Sequence, residues 1–312
     1  MSKDLKIKTK SNRKQLKILN EITYLANSSL SINEIENFLN IEIGMFDRDY
    51  FDRYFKEYSQ LLSHLNNLEL IAYISFTQNL KLELIKNLLN KIVYPFVLIS
   101  FAFLTLITFK FSVMPLFESF SDKNFISIIN IFFYLSVIVF VILILLLFFA
   151  IYIFKKPTYF IILYYRFYQF RILKIIELYY ISILSHLLIL FDKQGLSTYQ
   201  TFDLINKFKG NTIIANLAYF VSVDLEKGSG LETSIQNMHI NQNFKNVVLL
   251  GMKTNNYVKL LSQYSEKTFN DILSEIGFLS KFLLMTSYLY IGIIVLLLYK
   301  ILSLPIGLID NI

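Results

Sequence analysis

The chain has 312 residues, a formal net charge of +7, 55% hydrophobic side chains and a mean hydropathy of +0.51. This hydropathy is too high for an ordinary soluble domain, whereas 17% charged residues are too many for a bundle that lies wholly in lipid. The composition therefore indicates membrane-spanning helices combined with helical segments outside the membrane.

Turn-forming and metal-binding residues are scarce. Only nine glycines and four prolines interrupt the sequence, so an all-α fold is predicted, because strand-rich folds need frequent turns. The absence of cysteine excludes disulfides and thiolate metal sites. His64, His186 and His239 lie far apart and are interpreted as ordinary helix histidines. We expect no catalytic residue, no cofactor and no metal site.

The region before the first apolar run contains two predicted segments. Residues 1–17 are polar and rich in lysine, without the apolar stretch of a cleaved signal, and are predicted to form a basic arm that contacts anionic lipid. Residues 18–91 are predicted to form a first helical domain. In it, Ser31 and Glu34 have the spacing of a capping box.

Three uncharged runs predict three transmembrane helices. Each run has at least eighteen residues, the lower length needed to cross about 30 Å of hydrocarbon. The runs are Ile92 to Phe109, Phe125 to Phe154 and Phe282 to Tyr299. The helices assigned to them are residues 92–117, 125–154 and 278–303, with a short outer loop at 118–124 and an outer tail at 304–312.

The distribution of basic residues predicts the orientation. Residues 1–91 contain 13 Lys and Arg and residues 155–281 contain 14, against 2 in 110–124 and 1 in 300–312. The positive-inside rule places the two basic segments in the cytoplasm and the C-terminus outside. An aromatic cluster after the second span is interpreted as an interfacial belt rather than a nucleic-acid surface: Tyr159, Phe160, Tyr164, Tyr165, Phe167, Tyr168 and Phe170.

Residues 155–277 are predicted to form a second helical domain of about six helices. Apolar residues at three- and four-residue steps from Ile172 to Phe191 predict a helix that Gly195 ends. Ser197 and Gln200 form a capping box for the next helix.

Similar signals recur further along this domain. Gly228 is predicted to be a left-handed residue that ends a helix, and Ser229 with Glu232 forms another capping box. Gly251 is interpreted as a third helix terminator. The chain then continues from about Tyr257 as one amphipathic helix into the third span. The sequence thus predicts a polytopic all-α membrane protein with three transmembrane helices and two cytoplasmic helical-bundle domains.

Several short motifs occur in a fixed order around the spans. They are Tyr94-Pro95, Met114-Pro115 followed by Phe117 and Phe120, Gly195-Leu196-Ser197, Glu226 to Leu231, Phe244, and Leu304-Pro305-Ile306. This order resembles that of the F-family platform proteins of type II secretion and type IV pilus assembly, also called PilC-like proteins. The resemblance covers residues 92–312 well and 18–91 poorly. The family's Gly-Glu-x-Ser-Gly is replaced by Gly251-Met252-Lys253-Thr254-Asn255, so the acidic residue is missing at Met252.

The resemblance implies a non-enzymatic, homo-oligomeric scaffold in the inner membrane. Its implied partners are a hexameric cytoplasmic ATPase, pilin or pseudopilin subunits, other inner-membrane assembly proteins and membrane lipid, without nucleic acid. The resemblance leaves open whether the fibre that such a scaffold helps to assemble is a pilus, a secretion pseudopilus or a competence structure. The candidate structural or partner-contact residues are Tyr94, Pro95, Pro115, Gly195, Ser197, Gly228, Ser229, Glu232, Phe244, Gly251 and Pro305. Helix termination alone also accounts for the three glycines.

Two other function classes stay open. A small transporter or channel subunit would normally carry ionisable residues inside its spans, and the three runs contain none. A membrane enzyme would need a convergent set of His, acid and Ser residues, and no such spacing occurs. No Gly-x-x-x-x-Gly-Lys-Ser/Thr sequence is present, so we expect no ATP hydrolysis by this chain alone.

Overall fold

The computed structural model describes residues 2–28, 30–56, 58, 61, 64–117, 123–155, 171–208, 212–238, 240–254 and 256–309. Within these residues every regular element is helical and no strand occurs, so the all-α prediction is confirmed. The chain divides into two compact units. Unit 1 comprises Met1–Leu84 with Ile161–Leu273, and unit 2 comprises Ile85–Phe160 with Ser274–Ile312.

Long helices alternate with short ones along the chain. In order they are α1 (Ser2–Asn27), α2 (Ile32–Leu39), α3 (Arg48–Tyr54), α4 (Asn67–Thr108), α5 (Met114–Phe117), α6 (Lys123–Lys155), α7 (Arg171–Lys193), α8 (Thr198–Lys207), α9 (Thr212–Glu226), α10 (Leu231–Gln236), α11 (Gln242–Thr254) and α12 (Tyr257–Ile309). A 3₁₀ turn, Ile43–Met45, follows α2, and a π-helical turn, Phe109–Val113, joins α4 to α5. Both α4 and α12 contribute residues to each unit.

The core of unit 1 is built from both of its chain segments. Its largest fully buried side chains include Phe51, Tyr73, Phe191, Phe202 and Phe244, and burial of each such ring contributes about 1.5–3 kcal/mol. Across the segments, the Gln194 Nε2 amide donates a 2.5 Å hydrogen bond to the Glu69 carboxylate. Most of residues 18–91 and most of residues 155–277 lie in this unit. The division of these two segments into separate helical domains stays a prediction.

Unit 2 has a small apolar core and an apolar exterior. Its core contains Leu106, Phe109, Met114, Ile129 and Ile294. These residues come from α4, the π-helical turn, α5, α6 and α12, respectively. Large apolar side chains also cover the outside of these helices: Phe101, Leu104, Ile131, Leu135, Leu145, Met285, Leu289 and Leu296 are each at least 57% exposed. A helix that is apolar all round is typical of a membrane span.

Among the described residues, three helices are long and apolar enough to cross a membrane, located in Asn67–Leu116, Leu173–Lys193 and Tyr257–Ile301. The first covers residues 92–116 of the span predicted at 92–117, and the third covers residues 278–301 of the span predicted at 278–303. The predicted span at 125–154 lies in α6, whose segment Ile126–Ile142 is apolar.

Helix α7 carries the remaining candidate, Leu173–Lys193, although sequence analysis assigned it to a helical domain. Of its most apolar window, 67% is buried, against 22% and 11% in the other two. Its interior-facing side chains include the polar residues Ser182, Ser185 and His186. We therefore assign α7 to the core of unit 1, where its apolar side chains are covered by protein.

Candidate functional site

Pro95 lies in the middle of α4 and is buried. Proline lacks the backbone N–H that would bond the carbonyl four residues earlier, so the Lys91 carbonyl loses its usual helical donor. The Ser280 hydroxyl of α12 donates a 2.7 Å hydrogen bond to that carbonyl oxygen. A side chain from another helix thus replaces the bond that proline removes.

A second serine of α12 also contacts a backbone carbonyl of α4. Ser287 is fully buried, and its hydroxyl lies 3.3 Å from the Pro95 carbonyl oxygen and 2.7 Å from the Leu283 carbonyl oxygen. Tyr94, next to Pro95, is 55% exposed. In the Tyr94-Pro95 motif the tyrosine ring is therefore exposed, whereas the proline is buried and contacts α12.

The region around Pro115 departs from α-helical geometry. In the π-helical turn before it, the Met114 N–H donates to the Phe109 carbonyl, five residues back. Pro115 itself has no N–H to continue the α-helical ladder, and π-turns occur frequently at functional positions. Pro115 is exposed, whereas Met114 packs into the unit 2 core.

Lys110 occupies this π-turn and is partly buried. Its ammonium group hydrogen-bonds the Asn130 Oδ1 of α6 and lies 3.4 Å from the Met114 sulfur. Lys110 lies just outside the first uncharged run but within the span predicted at 92–117. The structure places this cation beside Met114, a residue of the unit 2 core.

Gly195 and Gly228 both follow helix ends as predicted, and the left-handed conformation predicted for Gly228 is confirmed. Gly195 has φ +72° and Gly228 has φ +80°, a region that glycine adopts without steric cost. The Gly195 N–H donates to Asp192 O and the Leu196 N–H to Phe191 O, which is the Schellman pattern of helix ends. Gly228 and Ser229 make the equivalent bonds to Leu225 and Asp224.

Two of the three predicted capping boxes are confirmed. The Gln200 N–H donates to Ser197 Oγ at 3.3 Å and the Ser197 N–H donates to Gln200 Oε1 at 3.0 Å. Ser31 and Glu34 make the same reciprocal pair.

The third box, Ser229 with Glu232, is wrong. Helix α10 begins one residue later, with Gly230 as its N-cap and no side-chain cap. Ser229 already serves as the last residue of the Schellman turn, so its spacing to Glu232 is out of register with the new helix. Glu232 instead pairs with Lys253 of α11 at 2.8 Å on the exposed surface.

The interpretation of Gly251 as a terminator is also wrong. Helix α11 continues through it to Thr254, and Gly251 is buried. A Cβ at this position would lie 3.0 Å from the Cα and from a ring carbon of Tyr257. The absence of a side chain at Gly251 thus leaves room for the close approach of the α12 start. Phe244, on the same helix, is fully buried, with its ring centroid 6.0 Å from that of Tyr264.

His186 was predicted to be an ordinary helix histidine, and in the structure its ring lies against two aromatic rings. Its ring stacks on Phe76, with centroids 4.2 Å apart, and on Tyr73 at 6.1 Å. Burial, with a smaller contribution from the Lys193 charge, lowers the pKa of His186 to about 4. Among the described residues its buried Nε2 has no hydrogen-bond partner. The histidine is therefore a neutral aromatic core residue at pH 7.

Some predictions concern parts of the chain that lie outside the described residues. These are Phe120, most of the loop 118–124, the aromatic cluster 159–170, His239 and the last three residues. Pro305 lies in the helical range of α12, so the predicted outer tail at 304–309 continues this helix.

The structure gathers only part of the candidate set. Tyr94 and Pro95 lie at the contact of α4 with α12 in unit 2, and Pro115 follows the π-turn in that unit. In unit 1 the candidate serines, Gly195 and Gly228 lie at separate helix ends, whereas Gly251 lies inside α11. Among the described residues, no group of three or more His, Cys, Asp or Glu is arranged to hold a metal.

No family model, curated protein or solved structure matches the chain.

Proposed function

We propose that the chain is the inner-membrane platform of a machine that assembles type IV pili or the pseudopili of type II secretion. The observation that supports this most is the continuity of α4 and α12. Each is one helix, of 42 and 53 residues, with residues in unit 1 and in an apolar stretch long enough to cross a membrane. A scaffold between a cytoplasmic motor and a membrane-embedded fibre base needs a membrane part joined to a part outside the membrane, and α4 and α12 each supply such a connection.

In this proposal unit 1 faces the cytoplasm and meets the hexameric ATPase, and the apolar faces of unit 2 meet lipid and pilin-like subunits. The excess of Lys and Arg in residues 1–91 and 155–281 supports that orientation. Reporter fusions at Lys10 and Ile312 should report opposite sides of the membrane. The same side for both contradicts the three-span topology.

The decisive test is genetic and biochemical. Deleting the gene should abolish surface fibres or secretion, and a plasmid copy should restore them. The purified chain should bind the ATPase encoded nearby without hydrolysing ATP itself. Gly228→Val should prevent fibre assembly while membrane insertion persists, because valine strains a backbone at φ +80°. Normal fibres in the deletion strain refute the proposal.

A transporter or channel subunit is the second candidate, because Lys110 is a cation packed within unit 2 against Asn130. Buried ionisable groups near membrane spans commonly mark transport pathways. Reconstituted protein that conducts ions or takes up solute, with the flux lost in Lys110→Met, would favour this function over the platform.

A further inference from the structure

Charge is strongly segregated in the first part of unit 1. Residues 21–52 contain a single basic residue, Arg48, in a chain whose net charge is +7. The same stretch contains seven carboxylates: Glu21, Glu34, Glu36, Glu42, Asp47, Asp49 and Asp52. All of them except the partly buried Glu36 are exposed. Residues 21–52 therefore present a negative surface on a positively charged protein.

The same segment exposes an unusual amount of apolar surface. Nine large apolar side chains of unit 1 are exposed among its described residues, and five of them lie between residues 24 and 45. Three of these five, Phe38 at 75%, Tyr24 at 73% and Met45 at 62%, are more exposed than any of the other four. They lie on neighbouring elements, because α1 packs against α2 and the 3₁₀ turn follows α2 directly. Exposed apolar side chains that lie together mark an interaction surface.

The acidic and apolar side chains alternate over the same short elements. On α2, Glu34 and Phe38 lie four residues apart and share a helix face, while Ile35 points into the core. Met45 follows the exposed Glu42 in the 3₁₀ turn. Capping by Ser31 and Asp47 fixes the starts of α2 and α3, so the surface is carried by ordered helix ends. We call residues 21–52 the acidic–apolar segment.

We propose that the acidic–apolar segment is a docking surface for a second protein that presents lysine and arginine around apolar anchors. Phe38, Met45 and Tyr24 enter its apolar contacts. Glu42 and Asp49 are the carboxylates that pair with its cations at the rim, where they set association rate and partner choice, because the other exposed carboxylates already contact Lys17, Arg48 or a helix start.

Charge argues against the other occupants. Six exposed carboxylates oppose contact with an anionic lipid surface, and a nucleic acid is repelled for the same reason. A symmetric contact between two copies would bring like charges together. The proposal stands whether or not the chain serves a fibre-assembly machine, because it specifies the chemistry of the partner and not its identity.

Photo-crosslinking in cells tests the proposal with the full-length chain. A photoreactive phenylalanine replaces Phe38, and in a matched control it replaces Tyr219, which is also exposed in unit 1. The adduct at Phe38 should contain a peptide from a different protein with more Lys and Arg than Asp and Glu. An adduct with lipid, with the basic arm of a second copy, or with a peptide lacking basic excess overturns the proposal, as does the absence of an adduct.

Charge reversal supplies the second measurement. Glu42→Lys with Asp49→Lys should reduce the yield of the Phe38 adduct about fivefold, since each reversal turns a rim attraction into repulsion. The control pair, Glu226→Lys with Glu266→Lys, alters exposed carboxylates elsewhere in unit 1 and should leave the yield unchanged. Equal loss in both pairs would mean that net charge, and not this surface, governs the contact.

Discussion

Ser280 Oγ donates a hydrogen bond to the Lys91 carbonyl oxygen, and this is the carbonyl that Pro95 leaves without an α-helical donor. The two residues lie 189 positions apart in the sequence. A hydrogen bond from a neighbouring helix is one of the ways in which proline is tolerated inside an apolar helix, because it satisfies the carbonyl that proline leaves free. The contact therefore couples the register of α4 to that of α12.

This pairing predicts a measurable coupling. Ser280→Ala should lower the free energy of unfolding in detergent micelles by about 1 kcal/mol, because the Lys91 carbonyl loses its donor. In a Pro95→Ala background the restored N–H of residue 95 serves that carbonyl, so the same serine substitution should cost less. Ser303→Ala is the matched control, since that hydroxyl bonds only within its own helix. Equal costs in both backgrounds would contradict the assignment.

The contact of Lys110 with Asn130 predicts a non-additive pair. Lys110→Met or Asn130→Leu alone leaves one partly buried polar group unpaired and should cost about 1–3 kcal/mol. The double variant removes both groups and should cost less than the sum of the two single variants. Thermal unfolding of the purified variants measures this, with Ser127→Leu at an exposed position of α6 as the control. Strict additivity would show that the two side chains act independently.

Local signals were the parts of the fold that the sequence predicted best. A capping box needs only two residues three positions apart, and the boxes at Ser31 and Ser197 both form. The box at Ser229 fails because a neighbouring local motif, the turn at Gly228, uses the same residue first. Competition between two adjacent helix ends is not visible in the spacing of either motif.

Contacts between distant segments explain what the sequence missed. Gly251 has the composition of a helix terminator, but the reason for glycine is the close approach of Tyr257, which depends on how α11 meets α12. No sequence motif identifies Ser280 and Ser287 as contact residues, because the carbonyl oxygens that accept their hydrogen bonds lie on α4, far away in the sequence. His186 is likewise identified only by the rings of Tyr73 and Phe76 that cover it.

The two serines that precede α8 and α10 give a paired stability prediction. Ser197→Ala removes an N-cap and should lower the free energy of unfolding of unit 1 by about 1 kcal/mol. Ser229→Ala should cost much less, because Gly230 is the N-cap of α10 and the Ser229 hydroxyl does not cap it. Chemical denaturation followed by circular dichroism compares the two. A larger cost at Ser229 would mean that α10 begins one residue earlier than the structure has it.

Gly251 should tolerate no side chain. Gly251→Ala places a methyl group 3.0 Å from the Tyr257 backbone, which must shift, so we expect destabilisation by about 1–3 kcal/mol. Gly44→Ala is the matched control, because a Cβ there has no neighbour within 4 Å. Limited proteolysis at the start of α12 should increase only in the first variant. Equal resistance of both proteins would contradict the packing at this junction.

His186 should make the stability of unit 1 depend on pH. Burial lowers the pKa of His186 to about 4 in the folded chain, below the ordinary value of 6.5. Between pH 4 and pH 6.5 the histidine is therefore mostly protonated in the unfolded chain and mostly neutral in the folded chain. Stability should therefore be full above pH 6.5, fall as the pH is lowered towards 4, and level off below it. The loss attributable to this residue is at most about 3 kcal/mol. His186→Phe keeps an aromatic ring between Phe76 and Tyr73 but cannot titrate, so its unfolding midpoint in denaturant should vary less between pH 7 and pH 4.5. If the wild-type chain and His186→Phe lose stability in parallel over this range, other groups carry the pH dependence and the buried, neutral assignment of His186 is wrong.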